Sequence, residues 1–139
     1  MIIRIIILGL FLSTSMLVQA QSVSIIGMTK EEAKEIVNKK YRNFRLDNTI
    51  VKQEFNYLKY VNGIQTITWI LFFSKEDICT SSKKVCDYSE YDFIIKKLNK
   101  EYQMISDMHW ESDSGNHTTV MTLEEKDWYF VVHEKMKEK

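Results

Sequence analysis

The chain has no proline, four glycines, two cysteines and three histidines among 139 residues. Each scarcity removes a class of chemistry. With two of the four glycines at Gly9 and Gly27, no glycine-rich loop remains that could cradle a phosphate through its backbone amides. The cysteines, Cys79 and Cys86, have six residues between them, not the Cys-x-x-Cys spacing of thiol oxidoreductases, and no histidine-plus-asparagine or aspartate set argues for a cysteine nucleophile. No Gly-x-Ser-x-Gly elbow accompanies the serines. His109, His117 and His133 fall on three separate expected strands or strand ends, and no spacing resembles His-Glu-x-x-His, so neither a metal nor another cofactor is indicated. Charge of one sign is also missing: 19 basic side chains stand against 19 acidic ones, which points away from nucleic acid as a partner. The short basic groups, Lys39-Lys40 with Arg42 and Arg45 and Lys96-Lys97 with Lys100, read as solvated helix surface.

One long apolar run is present, and it lies at the start. Met1 to Ala20 has Arg4, an apolar stretch from Ile5 to Leu12 and a Val18-Gln19-Ala20 cleavage box, the three parts of a secretory signal. Ser13-Thr14-Ser15 break the run before it reaches the roughly 20 residues that span a bilayer. The expectation is cleavage after Ala20, release to the periplasm or the medium, no stable membrane insertion afterwards, and a single domain over 21–139. Arg4 is the one charge in the signal, so the mature part holds 18 basic against 19 acidic side chains.

After an extended lead-in to Gly27, Thr29-Lys30-Glu31-Glu32 has capping-box spacing, and Ala33, Ile36, Val37 and Tyr41 recur at helical intervals, predicting a first helix. Val51 to Phe73 reads as a hairpin turning at Val61-Asn62-Gly63. A three-residue loop with Gly63 left-handed places Phe55 opposite Trp69 and gathers the large apolar residues on one face. Ser74 to Asp87 is polar and reads as a turn or small hairpin. A second helix follows, with Tyr91, Ile94, Ile95, Leu98 and Tyr102 in its stripe, and then strands over Ile105–Ser112, His117–Glu124 and Asp127–Glu134. The predicted fold is α+β, order αββαβββ, an antiparallel sheet with two helices packed on one face. No residue-level repeat between the two halves can be aligned.

Gly27-Met28-Thr29-Lys30-Glu31-Glu32 followed by a helix and a hairpin resembles the opening of BamE-like and β-lactamase-inhibitor-protein-like exported domains. These are small helix-plus-sheet modules that bind other proteins. The likeness spans about a tenth of the chain. The family's lipid-anchor cysteine and its Gly-x-Pro after the helix are absent here, so neither assembly-complex membership nor β-lactamase inhibition carries over. The chain as a whole looks like short exported bacterial proteins of unknown function.

Three expectations about sites follow. Cys79 and Cys86 meet an oxidising compartment and flank a segment read as turning back, which favours a disulfide; Ile78 and Val85 beside them leave two buried thiols as the competing reading. Most of the aromatics are core, and Leu58, Ile70 and Phe72 on the less apolar sheet face form a candidate binding face. Taken together, these readings point to an exported, non-catalytic, protein-binding or envelope-associated module of unknown partner. The alternative is a small hydrolase or metal-dependent enzyme using His109 or His117 with nearby carboxylates.

Overall fold

The computed structural model describes residues 23–49 and 54–138. Helix α1 (Lys30–Lys40) starts where Thr29 Oγ1 accepts from the Glu32 amide and the Glu32 carboxylate accepts from the Thr29 amide, satisfying two amides that the helix itself leaves without partners. Four strands follow: β1 (Arg45–Leu46), β2 (Tyr57–Asn62), β3 (Ile67–Phe73) and β4 (Cys79–Asp87). A single 3-10 turn leads into α2 (Tyr91–Glu101), and four more strands close the chain: β5 (Gln103–Ser106), β6 (His109–Asp113), β7 (Thr118–Glu125) and β8 (Tyr129–Met136).

The order is therefore not αββαβββ, and the α+β description gives way to one eight-stranded antiparallel sheet, β1-β2-β3-β4-β8-β7-β6-β5, carrying two eleven-residue helices. Each half is a helix followed by a four-strand meander, and the last strands of the two halves, β4 and β8, pair at the centre through seven residue pairs. The largest single difference is β4. Its Thr80-Ser81-Ser82-Lys83-Lys84 composition reads as a turn, yet it runs through the middle of the sheet: Ser81 and Lys83 face the side the helices leave to solvent, while Ser82 and Lys84, on the helix side, fall between the two apolar clusters.

Both helices lie on the same face. Ala33 and Val37 of α1 pack with Ile25, Ile26, Leu58, Tyr60, Trp69, Leu71 and Phe73 in one cluster, while Leu98 of α2 packs with Ile67, Trp110, Met121, Leu123, Phe130 and Val132 in another. Ile25 and Ile26, in the stretch read as a lead-in, are 1% exposed. Trp110 is fully buried, and its indole N–H donates to Asn99 Oδ1 at 2.8 Å, the partner a buried tryptophan requires.

The hairpin register also differs. Tyr60, not Phe55, is opposite Trp69; Leu58 is opposite Leu71; and Asn62 pairs with Ile67 across a four-residue loop. Phe55 lies outside the strand and is exposed, and the expected strand from Val51 falls partly on residues outside the described ones. Asn62 closes the loop with its side chain instead of sitting in the turn. Its Oδ1 accepts from the amides of Ile64 and Gln65, its Nδ2 donates to Gln65 Oε1, and it is 1% exposed. The left-handed residue is Thr66 (φ 51°), while Gly63 has an ordinary φ. This register puts Leu58 and Tyr60 on the helix side, where both are buried against Trp69 and Leu71.

Asn62→Ala leaves two loop amides without an acceptor and should cost about 1–3 kcal/mol. Gly63→Ala meets no atom within 4 Å and should stay within about 1 kcal/mol of the parent. Urea unfolding of both variants checks this, and a larger loss at Gly63 than at Asn62 would contradict the loop geometry.

Candidate functional site

The register separates the three residues of the candidate binding face. Leu58 is buried beneath α1, whereas Ile70 and Phe72 lie on the opposite, helix-free face. One row on that face reads Tyr57, Phe72, Ser81, Lys135, Val120, Glu111; the next reads Lys59, Ile70, Lys83, His133, Thr122, His109; a third reads Val61, Thr68, Val85, Val131, Glu124. Aromatic and branched side chains thus sit among cations. Lys59 is held by Asp47 at 2.8 Å, and its ammonium, with the hydroxyl and amide of Thr49, keeps the Asp47 carboxyl well below the usual range. Lys83 and Lys135, at the centre, make no ion pair among the described residues.

The histidines do not converge. His109 and His133 share the helix-free face two strands apart, His109 near Glu111 (3.9 Å) and His133 near Glu124 (3.4 Å). His117 lies elsewhere, its ring against Gly27, where a Cβ would come within 3.4 Å of the imidazole and φ is 87°. His109 and His117 therefore occupy separate environments. Among the described residues no group of three His, Cys, Asp or Glu side chains could hold a metal.

The thiols are not bonded. Cys79 and Cys86 occupy the two ends of β4, and at roughly 3.3 Å per residue in a strand they stand more than about 20 Å apart. A disulfide needs Cα atoms within roughly 7 Å, so the expected bridge is replaced by two buried thiols. Seven residues apart on a regular strand, they would face opposite sides. A bulge that leaves Thr80 without a partner, between the Phe72–Ser81 and Phe73–Cys79 pairs, returns Cys79 to the helix side. Burial, with the Glu134 charge adding to it, pushes the Cys79 thiol up to about 12; burial pushes Cys86 up to about 11, although Lys84 pulls the other way. Neither thiolate is populated near neutral pH, so neither sulfur is a nucleophile.

Composition gave no warning of a polar seam under the helices. Where β4 meets β8, the helix-facing row runs Leu58, Leu71, Ser82, Glu134, Met121, Trp110, and the next runs Tyr60, Trp69, Lys84, Val132, Leu123. The two apolar clusters are thus divided by Ser82, Lys84 and Glu134. These three, with Tyr41 at the end of α1 and Glu101 and Tyr102 at the end of α2, line a cavity of about 60 Å³. Glu134 is satisfied, since Ser24 Oγ donates to Oε1 at 2.9 Å and Ser82 Oγ to Oε2 at 3.3 Å. The Lys84 ammonium is 4.4 Å from the centroid of the Trp69 ring and 6.0 Å from that of Tyr41, and it reaches no carboxylate within 4 Å. Burial lowers its pKa, with the Glu134 charge opposing. A Glu101 carboxylate oxygen is sealed from solvent without a hydrogen-bond donor. One signal in the sequence does lead here. Val37-Asn38-Lys39-Lys40-Tyr41 and Leu98-Asn99-Lys100-Glu101-Tyr102 match in pattern, end the two helices alike, and bring both tyrosines to the cavity.

Against this geometry, comparison with protein-family models, curated proteins and solved structures finds no match for the chain. Among the described residues no helix is long and apolar enough to cross a membrane.

Two expectations follow. In native protein prepared without reductant both thiols should resist alkylation, and both should react once the chain is unfolded, still without reductant; mass spectrometry that finds either one blocked would contradict this. Lys84→Met should raise stability by about 1 kcal/mol at neutral pH, because it removes a partly buried charge that no carboxylate pairs within 4 Å. Folding depresses the Lys84 pKa, so the cost is full below the folded value and falls as pH rises toward the unfolded 10.5. The advantage of Met should shrink over the same window, as unfolding curves across pH will show.

Proposed function

We infer that the chain is an exported, non-catalytic module that binds another protein through the helix-free face of its sheet. The observation that carries this reading is the mixed surface at the sheet centre. Tyr57, Phe72, Ile70 and Val85, each partly exposed, lie beside Lys83 and Lys135, whose charges no described carboxylate neutralises. Apolar and aromatic area supplies affinity, and unpaired cations favour a partner that presents carboxylates around an apolar patch. The resemblance of the Gly27–Glu32 opening to exported protein-binding domains supports the same class. The signal-like composition of Met1–Ala20 supports an encounter outside the cytoplasm.

A photo-crosslinking residue at Ile70 should capture a protein partner in the producing cell, while one at Lys96, on the exposed side of α2, should not. Combining Lys83→Glu with Lys135→Glu should abolish the Ile70 crosslink and weaken binding of the purified partner at least tenfold, about 1.4 kcal/mol. Crosslinking confined to the helix position, or indifferent to charge reversal, would overturn the assignment.

A further inference from the structure

The cavity between the helices has a charge pattern that the chain itself does not complete. Of its four charged lining residues, Lys84 and Lys97 are cationic and Glu101 and Glu134 anionic, so the lining is balanced overall. The balance is not made by contact. Lys84 reaches no carboxylate within 4 Å, Lys97 makes no ion pair among the described residues, and one Glu101 oxygen is buried without a donor. Glu134 has its acceptors filled by Ser24 and Ser82. The unmet groups are therefore two ammoniums, of Lys84 and Lys97, and one carboxylate oxygen, of Glu101, all lining one small space.

An anion alone would serve Lys84 and leave Glu101 unmet, and a cation alone would do the reverse. A ligand that fits must carry both an acceptor group and a donor group. The cavity, at about 60 Å³, has room for about four waters by the same measure, or for a molecule of about five heavy atoms. Aromatic rings on the Lys84 side, Trp69 and Tyr41, hold the ammonium in place without neutralising it.

We propose that this cavity is a binding site for a small zwitterion of the α-amino-acid class, with the ligand carboxylate on the Lys84 ammonium and the ligand ammonium on Glu101. The site is separate from the helix-free face, and its test does not depend on any protein partner.

The indole N–H of Trp69 is buried without an acceptor and lies beside Lys84, which makes its proton–nitrogen NMR signal a local reporter. Titration with glycine at millimolar concentration should shift the Trp69 signal and leave that of Trp128, at the exposed β7–β8 turn, in place. Acetate and methylammonium should each act at least tenfold more weakly than glycine. Lys84→Met and Glu101→Gln, each checked for a dispersed native spectrum, should each weaken the glycine response at least tenfold. Glu101→Gln keeps the side-chain size, so loss of binding in that variant separates charge recognition from collapse of the cavity. An unmoved Trp69 signal would mean the cavity holds only water, and would overturn the proposal. So would a response to acetate equal to that of glycine, or a glycine response that survives both substitutions.

Discussion

The antiparallel pairing of β4 with β8 is the constraint on which the rest of the molecule depends, because it joins two meanders along strands whose helix-facing residues are polar. Ser82, Lys84 and Glu134 occupy the place where a one-core sheet protein would have its best-buried apolar side chains. The apolar material is displaced to either side, one cluster around Trp69 and Leu71 and the other around Trp110 and Phe130. Each helix then covers its own cluster, and the gap between the helices stays open over the polar seam. Backbone hydrogen bonding across seven β4–β8 pairs does the joining that side-chain burial cannot do there, since such bonds are indifferent to side-chain polarity.

That division has an energetic consequence. A partly buried ammonium without a close counter-ion is costly, and cation–π contact with Trp69 recovers on the order of 1–2 kcal/mol of its desolvation penalty. The surplus must come from the flanking clusters. The outer strands contribute less: β1 and β5 are short and their residues exposed. Stability is therefore expected to be concentrated in β2–β4 and β6–β8 with their helices, leaving the edges as the segments that open first.

The helices were legible because their signals are local: a capping box at Thr29–Glu32 and apolar residues three and four apart. The strands were legible where one face is apolar, as in β3 and β7. Three features escaped for physical reasons. The polar β4 resembles a turn because the rule that central strands are apolar assumes two covered and packed faces, whereas here one face is open and the other borders the cavity at Ser82 and Lys84. Asn62-Gly63 looks like a tight turn because both residues tolerate turn conformations, but the Asn62 amide is used from within the strand to cap a longer loop. The cysteines look paired because spacing alone does not reveal that the segment between them is extended. Of the candidate face, Ile70 and Phe72 lie on the helix-free side and Leu58 on the other, since a changed register moves alternate residues of one strand to the other side.

The relation between the halves bears on the cavity itself. The central pair of the seven-pair β4–β8 ladder is Lys84–Val132, and Glu134 lies diagonally across from Lys84, opposite Ser82. The two halves thus place different polar side chains at the seam, Ser82 and Lys84 from the first and Glu134 from the second. The helix ends correspond in sequence, with Tyr41 matching Tyr102 and Lys40 matching Glu101. There the first half supplies a cation and the second a carboxylate. Tyr41 and Tyr102 are identical and frame the space, while the charged residues differ in sign. Lys40 turns to a neighbouring groove with Arg42 and Lys97, whereas Glu101 turns inward. Like charges at Lys84 and Glu134, diagonal neighbours across the ladder, would raise the cost of burial on both strands. Their opposite signs let both remain beside the cavity at smaller cost, and they hold a polar gap open where the two halves meet.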